Sequence, residues 1–498
     1  MADESLAPRL ARGLDLDLRR ALKPRGAVVE VGDGVARVVG LQDVGSEELV
    51  AFDSGAFGIA YELAPDYTGV VLLGDVERVR ASEGVEATGK PLSVPVSREI
   101  LGRVLDPLAQ PLDERPALVG ERQPIFREAP TLIERGPVDR PLLTGVMVID
   151  SAIPIGRGQR QLILGDRNVG KTALALDIVA AQRAGDVACI YVVIGQPMSR
   201  VLRIREALEK TGSLSNTVII ASDASDSPGM QYLAPYAGTT VAEYFRDLGQ
   251  DALIVYDDLT KHADAYRELA LLLGRPPGRE AFPGDIFYIH AQLLERATAL
   301  ANDEHVRSIT ALPIVETTDS DISSYIPTNL ISITDGQVYL DTTLFTRNQR
   351  PAVDIGQSVS RVGGAAQLPS LRRAASNLRI VMSQFETLES LTRVGLDVDP
   401  ATRKAVERGR IMREVLRQPR FAVRTAADQI LALTAVTEGW LDTLSPSEAH
   451  KAVWGATQRF RVELPDIVAA LDSGGEMPGD DWKERLRDVV QALLQERG

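Results

Sequence analysis

The sequence predicts a multidomain α and β fold that runs from β, through α/β, to α. Three observations predict it: short runs of period two fill residues 26 to 95, strand-like runs then alternate with helical stretches, and helical periodicity takes over after about residue 370.

A chain of 498 residues exceeds what one hydrophobic core supports and implies two to four domains. Apolar residues at 44 % and charged residues at 25 % are ordinary for a soluble globular protein. A net charge of −14 argues against a nucleic-acid partner, whose phosphates it would repel. Cys189 is the only cysteine, so no intrachain disulfide forms, and its apolar setting predicts an inert buried thiol in a reducing compartment. No apolar run approaches the roughly 20 residues of a membrane span. The start, Met1-Ala2-Asp3-Glu4-Ser5, lacks the basic head and apolar body of a signal peptide. Membrane association is therefore expected only through partners.

In residues 1–25, Leu6, Leu10, Leu14, Leu18 and Leu22 recur every fourth residue, as on one side of a helix. Pro8 and Gly13 weaken that helix, and Leu14-Asp15-Leu16-Asp17-Leu18 alternates like a strand. Both a partner-docking segment and a terminus packed on its own domain fit. Across residues 26–95, Gly32-Asp33-Gly34 is a tight-turn motif between valine-rich runs. Further short runs at Glu48–Phe52, Ile59–Leu63, Gly69–Leu73 and Leu92–Val96 predict a small barrel or sandwich. Residues 96–370 carry strand-like runs at Gln161–Leu164, Ala188–Ile194, Thr217–Ala221, Ala252–Tyr256 and Ile309–Val315, with helical stretches between most of them, as in a parallel α/β sheet. Residues 371–498 read as helices, at Leu371–Glu386, Ala401–Leu416 and Trp482–Gln495 among others; Trp482, Leu486, Val489 and Leu493 share a face of the last.

The chemistry centres on Gly165-Asp166-Arg167-Asn168-Val169-Gly170-Lys171-Thr172, a complete G-x-x-x-x-G-K-[ST] loop entered by an apolar strand and left by a helix. Two glycines let backbone N–H groups turn toward phosphate oxygens, and the helix N-terminus adds its dipole. Lys171 supplies a charge for the outer phosphates, and the Thr172 hydroxyl is a ligand for Mg²⁺. About eighty residues on, the strand Leu253-Ile254-Val255-Tyr256 ends in Asp257-Asp258. Behind such a loop, a carboxylate there orders magnesium or its waters. Asp257 is the preferred choice over Asp258. ATP or ADP with Mg²⁺ is the expected ligand.

Several segments resemble the F-type ATP synthase alpha subunit. These are Pro154-Ile155-Gly156-Arg157-Gly158-Gln159-Arg160, Tyr256-Asp257-Asp258-Leu259-Thr260-Lys261, the run from Leu273 to Glu280, Pro327 through Gln337, and Ser358-Val359-Ser360-Arg361-Val362-Gly363-Gly364. The resemblance spans roughly residues 26–445 and implies a β-barrel, a RecA-like nucleotide domain and a helical domain. It implies an alternating alpha3-beta3 hexamer with beta subunits, a gamma central stalk, peripheral-stalk subunits and a membrane sector that moves protons or sodium. In a prokaryote this sits on the cytoplasmic face of the plasma membrane. Catalytic beta subunits carry a glutamate after the strand that follows the phosphate-loop helix; here Gln196 stands in that place, in Gly195-Gln196-Pro197. An amide is a far poorer base, so the resemblance implies a non-catalytic subunit. It also implies that Arg361 reaches a neighbouring beta site as an arginine finger, with Ser358 shaping the same loop. Phe345, Arg350 and Pro351 match an alpha adenine-side loop, with Gln418 and Arg420 where alpha subunits often carry two glutamines. Residues 394–400 match the loop that faces the central stalk.

Several positions depart from the family pattern. Asn168-Val169 replaces Gln-Thr, and the basic residue after Gly-Gln is replaced by Pro197, followed by Met198-Ser199-Arg200. The stretch 301–309 is short, Arg420 replaces a glutamine, and the N-terminal segment is atypical. Together they are similar to the divergent, N-type alpha group, for which sodium coupling is an expectation beside proton coupling. Two other functions compete. A self-sufficient hexameric export motor needs a carboxylate where Gln196 stands. An RNA-translocating RecA-like helicase needs basic and aromatic residues in residues 26–95, a stretch that instead carries twelve acidic positions from Glu30 to Glu86.

Overall fold

The computed structural model describes residues 25–41, 43–184, 186–301, 306–393, 399–474 and 481–495. The docking reading of the N-terminal segment and the central-stalk reading of Val394–Val398 lie outside these residues.

Six antiparallel strands close into a barrel in the order β1-β2-β5-β4-β3-β6, with β1 (Arg25–Gly32), β2 (Val35–Val39), β3 (Glu48–Phe52), β4 (Phe57–Leu63), β5 (Thr68–Leu73) and β6 (Gly84–Pro91). Asp33-Gly34 forms the two-residue turn from β1 to β2, both at positive φ. Strand alternation explains the interior: Val28, Val38, Val50, Val70 and Val85 point inward and make one cluster. β5 is buried on both faces, because Val70 and Leu72 fill the barrel while Val71 and Leu73 pack on the nucleotide domain. Two sequence expectations need correction here. The run Leu92–Val96 does not join the barrel; β7 (Ser93–Val96) pairs instead with β9 (Glu121–Pro124). The closing strand is β6, unrecognised because Val85 and Ala87 are diluted by Glu86, Thr88, Gly89 and Lys90.

The middle is a nine-stranded, mostly parallel sheet. Its main path is β17 (Val359–Ser360), β16 (Gly336–Leu340), β10 (Leu162–Gly165), β15 (Val306–Glu316), β13 (Ala252–Asp257), β11 (Ala188–Val193), β12 (Thr217–Ala221) and β8 (Val104–Leu105); β14 (Ala299–Ala301) pairs with β15. Continuous apolar runs form these strands because helices cover both faces. Along β11, Cys189, Tyr191 and Val193 enter one core while Ala188, Ile190 and Val192 enter the other. Burial pushes the Cys189 thiol up to about 12, which leaves it inert. The covering helices are α1 (Lys171–Ala181), α2 (Met198–Thr211), α3 (Pro228–Asp247), α4 (Leu259–Leu272), α5 (Ile286–Glu295) and α6 (Tyr325–Ile333).

Beyond the sheet lie α7 (Pro369–Ala375), α8 (Leu378–Arg393), α9 (Pro400–Val415), α10 (Ala426–Thr437), α11 (Pro446–Glu463), α12 (Pro465–Asp472) and α13 (Trp482–Gln495). The single helix expected over Leu371–Glu386 is two, broken at Ser376-Asn377. Trp482, Leu486 and Val489 are buried as their spacing requires, and Leu493 is half-buried. Among the described residues, no helix is long and apolar enough to cross a membrane.

Candidate nucleotide site

β10 ends in Gly165, and α1 begins at Lys171. Between them the backbone curls through Gly165 at φ 152°, Asn168 at 63° and Gly170 at 104°. Only glycine suits the first and last of these, and a Cβ on Gly165 would stand 2.5 Å from the Leu340 carbonyl. Asparagine tolerates the left-handed region better than most residues, which fits Asn168. Asp166 anchors the loop rather than facing a ligand. It accepts hydrogen bonds from the Thr317 hydroxyl at 2.5 Å, the Ser320 N–H at 2.9 Å and the Thr342 hydroxyl at 3.2 Å. Val169 is buried beneath the loop, and Arg167 reaches across it to Glu316 at 2.9 Å.

Lys171 Nζ donates to the carbonyls of Gly165 and Asp166 at 2.8 and 2.7 Å. Burial pulls its pKa down, against the attraction of Glu316, Asp258 and Asp257. The Thr172 hydroxyl donates to Asp257 Oδ2 at 2.9 Å, and Tyr191 Oη donates to the same oxygen at 2.9 Å. Gln196 Nε2 donates to Asp257 Oδ1 at 3.1 Å and to the Asp257 carbonyl at 2.9 Å. Asp258 is committed elsewhere: it caps α4 by accepting from the Lys261 N–H at 2.9 Å. Burial and the adjacent Asp257 push its carboxyl up to about 7.

These groups open on a cleft of 460 Å³, walled by the loop, Thr172, Asp257 and Glu316, and by Arg200, Arg203 and Arg420. Sequence reasoning passed over Glu316, Arg203 and Tyr191, and noted Arg200 only as a neighbour of Pro197. The spacing of Arg200 and Arg203 puts both on one face of α2, which would have singled them out. The donor chemistry of the cleft suits a magnesium nucleotide, with a hydroxyl, a buried carboxylate and an ammonium, while Gln196 does not line it and stays behind Asp257, its Oε1 atom buried without a hydrogen-bond partner.

The other expected residues are not all brought together. Arg420 joins the cleft, but Phe345 and Arg350 do not line it. The Arg350 guanidinium lies 3.6 Å over the Phe345 ring and donates to the Phe345 carbonyl at 2.6 Å. Pro351 lines a second cleft, of 400 Å³, together with Leu344, Phe385 and Leu416. Gln418 does not line the cleft either. Its Oε1 accepts from the Met147 N–H at 3.1 Å, and its Nε2 donates to the Gly145 and Ala422 carbonyls at 2.7 and 2.6 Å. Its amide is thus spent on internal backbone. Ser358 stands at the head of the Arg361 loop. It is fully buried, donating to the Asp354 carbonyl and accepting from the Tyr339 N–H, so it shapes the loop from inside. Arg361 lies outside its own cleft, exposed just past the edge strand β17. Its guanidinium donates to the Thr334 carbonyl at 3.1 Å and the Ile331 carbonyl at 3.5 Å.

Fold and loop together define a P-loop nucleotide-binding protein of three domains. Family models match each part: the beta-barrel domain of the ATP synthase alpha/beta family over residues 23–89, its nucleotide-binding domain over 145–360, and the C terminal domain of the alpha/beta chain over 367–493. The chain is 48 % identical to ATP synthase subunit alpha 2 of Syntrophus aciditrophicus (strain SB) over 475 residues, 95 % of this chain and 92 % of that one. It is 48 % identical over 482 residues to ATP synthase subunit alpha 1 of Psychromonas ingrahamii, covering 96 % and 92 %. Against ATP synthase subunit alpha of Aquifex aeolicus the identity is 43 % over 482 residues, covering 97 % and 96 %. The chain belongs to the ATP synthase alpha/beta family, among the F1 alpha subunits.

Proposed function

We propose that this chain is the non-catalytic, nucleotide-holding subunit of a rotary, ion-translocating ATP synthase, and that it lends Arg361 to the catalytic site of an adjacent beta subunit. The observation that carries this reading is Gln196. By resemblance it stands where catalytic beta subunits carry their glutamate, and its amide is bound to Asp257. A neutral amide holds water in place but does not take its proton at useful rates.

In this reading the loop N–H groups and Lys171 bind the phosphates, and Thr172 and Asp257 hold the metal side of the nucleotide. Magnesium, when bound, supplies charge neutralisation there. Lys171 exchanges its two loop carbonyls for phosphate oxygens on binding. Arg361 is exposed past the sheet edge, and in the ring it exchanges the carbonyls of Thr334 and Ile331 for a neighbour's phosphate oxygens. In the alternating ring with beta, it neutralises charge on the phosphoryl group in transit. Gamma, the peripheral stalk and the membrane sector complete the assembly, at the cytoplasmic face of a prokaryotic plasma membrane, with proton or sodium as the coupled ion.

A self-sufficient hexameric ATPase is the competing reading, and Glu316 speaks for it. Besides Asp257, it is the one carboxylate on the cleft wall among the described residues. Its pairing with Arg167 at 2.9 Å and its approach to Lys171 at 3.9 Å weigh against a role as base. The deciding experiment is ATP binding and turnover by the purified chain, alone and mixed with its beta partner. Binding without turnover, activity on mixing, and a loss of about 10³-fold or more in Arg361→Ala are expected. Sustained turnover by the chain alone would overturn the reading and make Glu316 the residue to replace next.

A further inference from the structure

We propose that Arg200 stands in for the divalent ion at this site when none is bound, so that the chain holds nucleoside triphosphate about as well without magnesium as with it. The inference rests on the nucleotide-holding reading above and concerns how that site balances charge.

A threonine hydroxyl has one proton to give, and Thr172 gives it to Asp257 Oδ2. The acceptor side of the hydroxyl is what a metal in a phosphate loop uses. Here that side accepts a hydrogen bond from Arg200 Nη2 at 2.5 Å. The same guanidinium nitrogen lies 3.8 Å from Asp257 Oδ1. One arginine thus engages both oxygen-bearing groups that would order the metal. Asp257 meanwhile receives donors from Thr172, Tyr191 and Gln196, which leaves its oxygens well occupied within the chain.

The local fold delivers Arg200 there. α2 begins at Met198, directly after Pro197, and the Met198 N–H donates to Asp223 Oδ2 at 2.8 Å, which fixes the helix start. Side chains tilt back toward a helix N-terminus, so the third residue of α2 leans over the cleft. Pro197 carries no charge, and Arg200 supplies one a turn later. Arg203 and Arg420 reach the same wall, and Lys171 is at its base. Four cations therefore face the cleft, against the carboxylates of Asp257 and Glu316, the latter already paired with Arg167. That excess suits a triphosphate that arrives without its metal. A guanidinium holds phosphate oxygens in a planar fork, which an ammonium does not. The Arg200 side chain is 40 % exposed, which leaves its head group free to follow the phosphate.

The test is calorimetric titration of the purified full chain with ATP, in excess Mg²⁺ and again in excess EDTA, for wild type and Arg200→Gln. Wild type should show dissociation constants within about threefold of each other, whereas Arg200→Gln should bind about ten- to hundredfold more weakly in EDTA, the worth of one charge-assisted hydrogen bond. Loss of tenfold or more by wild type itself in EDTA would overturn the proposal while leaving nucleotide binding intact, and that arm decides even if the variant does not fold. Equal binding by Arg200→Gln and wild type in EDTA would also overturn it. Absence of binding under both conditions would remove the nucleotide reading itself.

Discussion

Arg296 shows what a single side chain contributes when nothing around it is wet. It is fully buried, and it donates to Glu243 at 3.0 Å through Nε and 2.7 Å through Nη2. Its remaining donors reach the Ile125 carbonyl at 2.9 Å and the Thr240 hydroxyl at 3.1 Å. The pair ties α3 to the end of α5 and to the chain entering from the barrel side. Desolvation makes such a pair a modest net stabiliser, yet removing Arg296 leaves the buried Glu243 carboxylate with only the half-buried Arg127, 3.3 Å away. Arg296→Met should therefore cost about 3–5 kcal/mol in urea unfolding. Arg296→Met with Glu243→Leu should recover most of that loss. An Arg296→Met variant within about 1 kcal/mol of wild type would contradict this account, since that is the scale of an exposed pair such as Arg485–Asp466.

Elements pack by the shape of their faces, and α8 against α9 gives a case where the sign of an effect is decided by packing. Gly409 sits within α9, where alanine would ordinarily gain about 1 kcal/mol in helix propensity. A Cβ at Gly409, however, would fall 2.4 Å from Cγ of Phe385 on α8, near the stem of a buried ring that cannot swing aside. Gly409→Ala is expected to destabilise the helical domain by about 1–3 kcal/mol, and a raised urea midpoint would show that the two helices have room. This close approach is invisible in the sequence, where Gly409 reads only as a weak point in a helix. Legibility elsewhere follows the same logic. The phosphate loop and strands such as Thr217–Ala221 were readable because steric and burial demands there are local. β6 was not, since its place in the barrel is set by its neighbours β1 and β3. In the site, Asp257 and Arg420 were legible from pattern and resemblance, whereas Arg200 and Glu316 come into the cleft from separate elements. Gln418 stood where a ligand was expected, and only its three backbone partners reveal a clamp.

Across the whole molecule, the barrel and the nucleotide domain share an aromatic seam. Tyr61 of β4 meets Tyr232 of α3 at 5.8 Å, Tyr232 stacks on His262 of α4 at 5.3 Å, and His262 faces His290 of α5 at 5.5 Å. Both histidines are fully buried, and neither ring nitrogen of His290 has a hydrogen-bond partner. Burial pulls His290 down to about 4, while burial and then His290 hold His262 well below the usual histidine range. A histidine depressed in the folded state binds fewer protons there than in the unfolded chain. Its contribution is therefore complete above about pH 6.5 and is lost as the pH falls toward 4. Other groups pull the opposite way: burial raises Asp106 and Asp177 to about 6 and Asp258 to about 7, so they take up protons first in the folded state. The acid profile of the molecule is the difference between these sets, and a variant isolates one of them. His290→Leu is of similar size and removes two unpartnered buried nitrogens, so at pH 8 it should unfold within about 1.5 kcal/mol of wild type. By pH 5 the variant should have gained about 2 kcal/mol on wild type, at roughly 1.4 kcal/mol per pH unit below 6.5. Urea midpoints measured side by side at the two pH values check this. A difference that stays constant with pH would mean that His290 is protonated alike in the folded and unfolded chain, and that the seam is open to water.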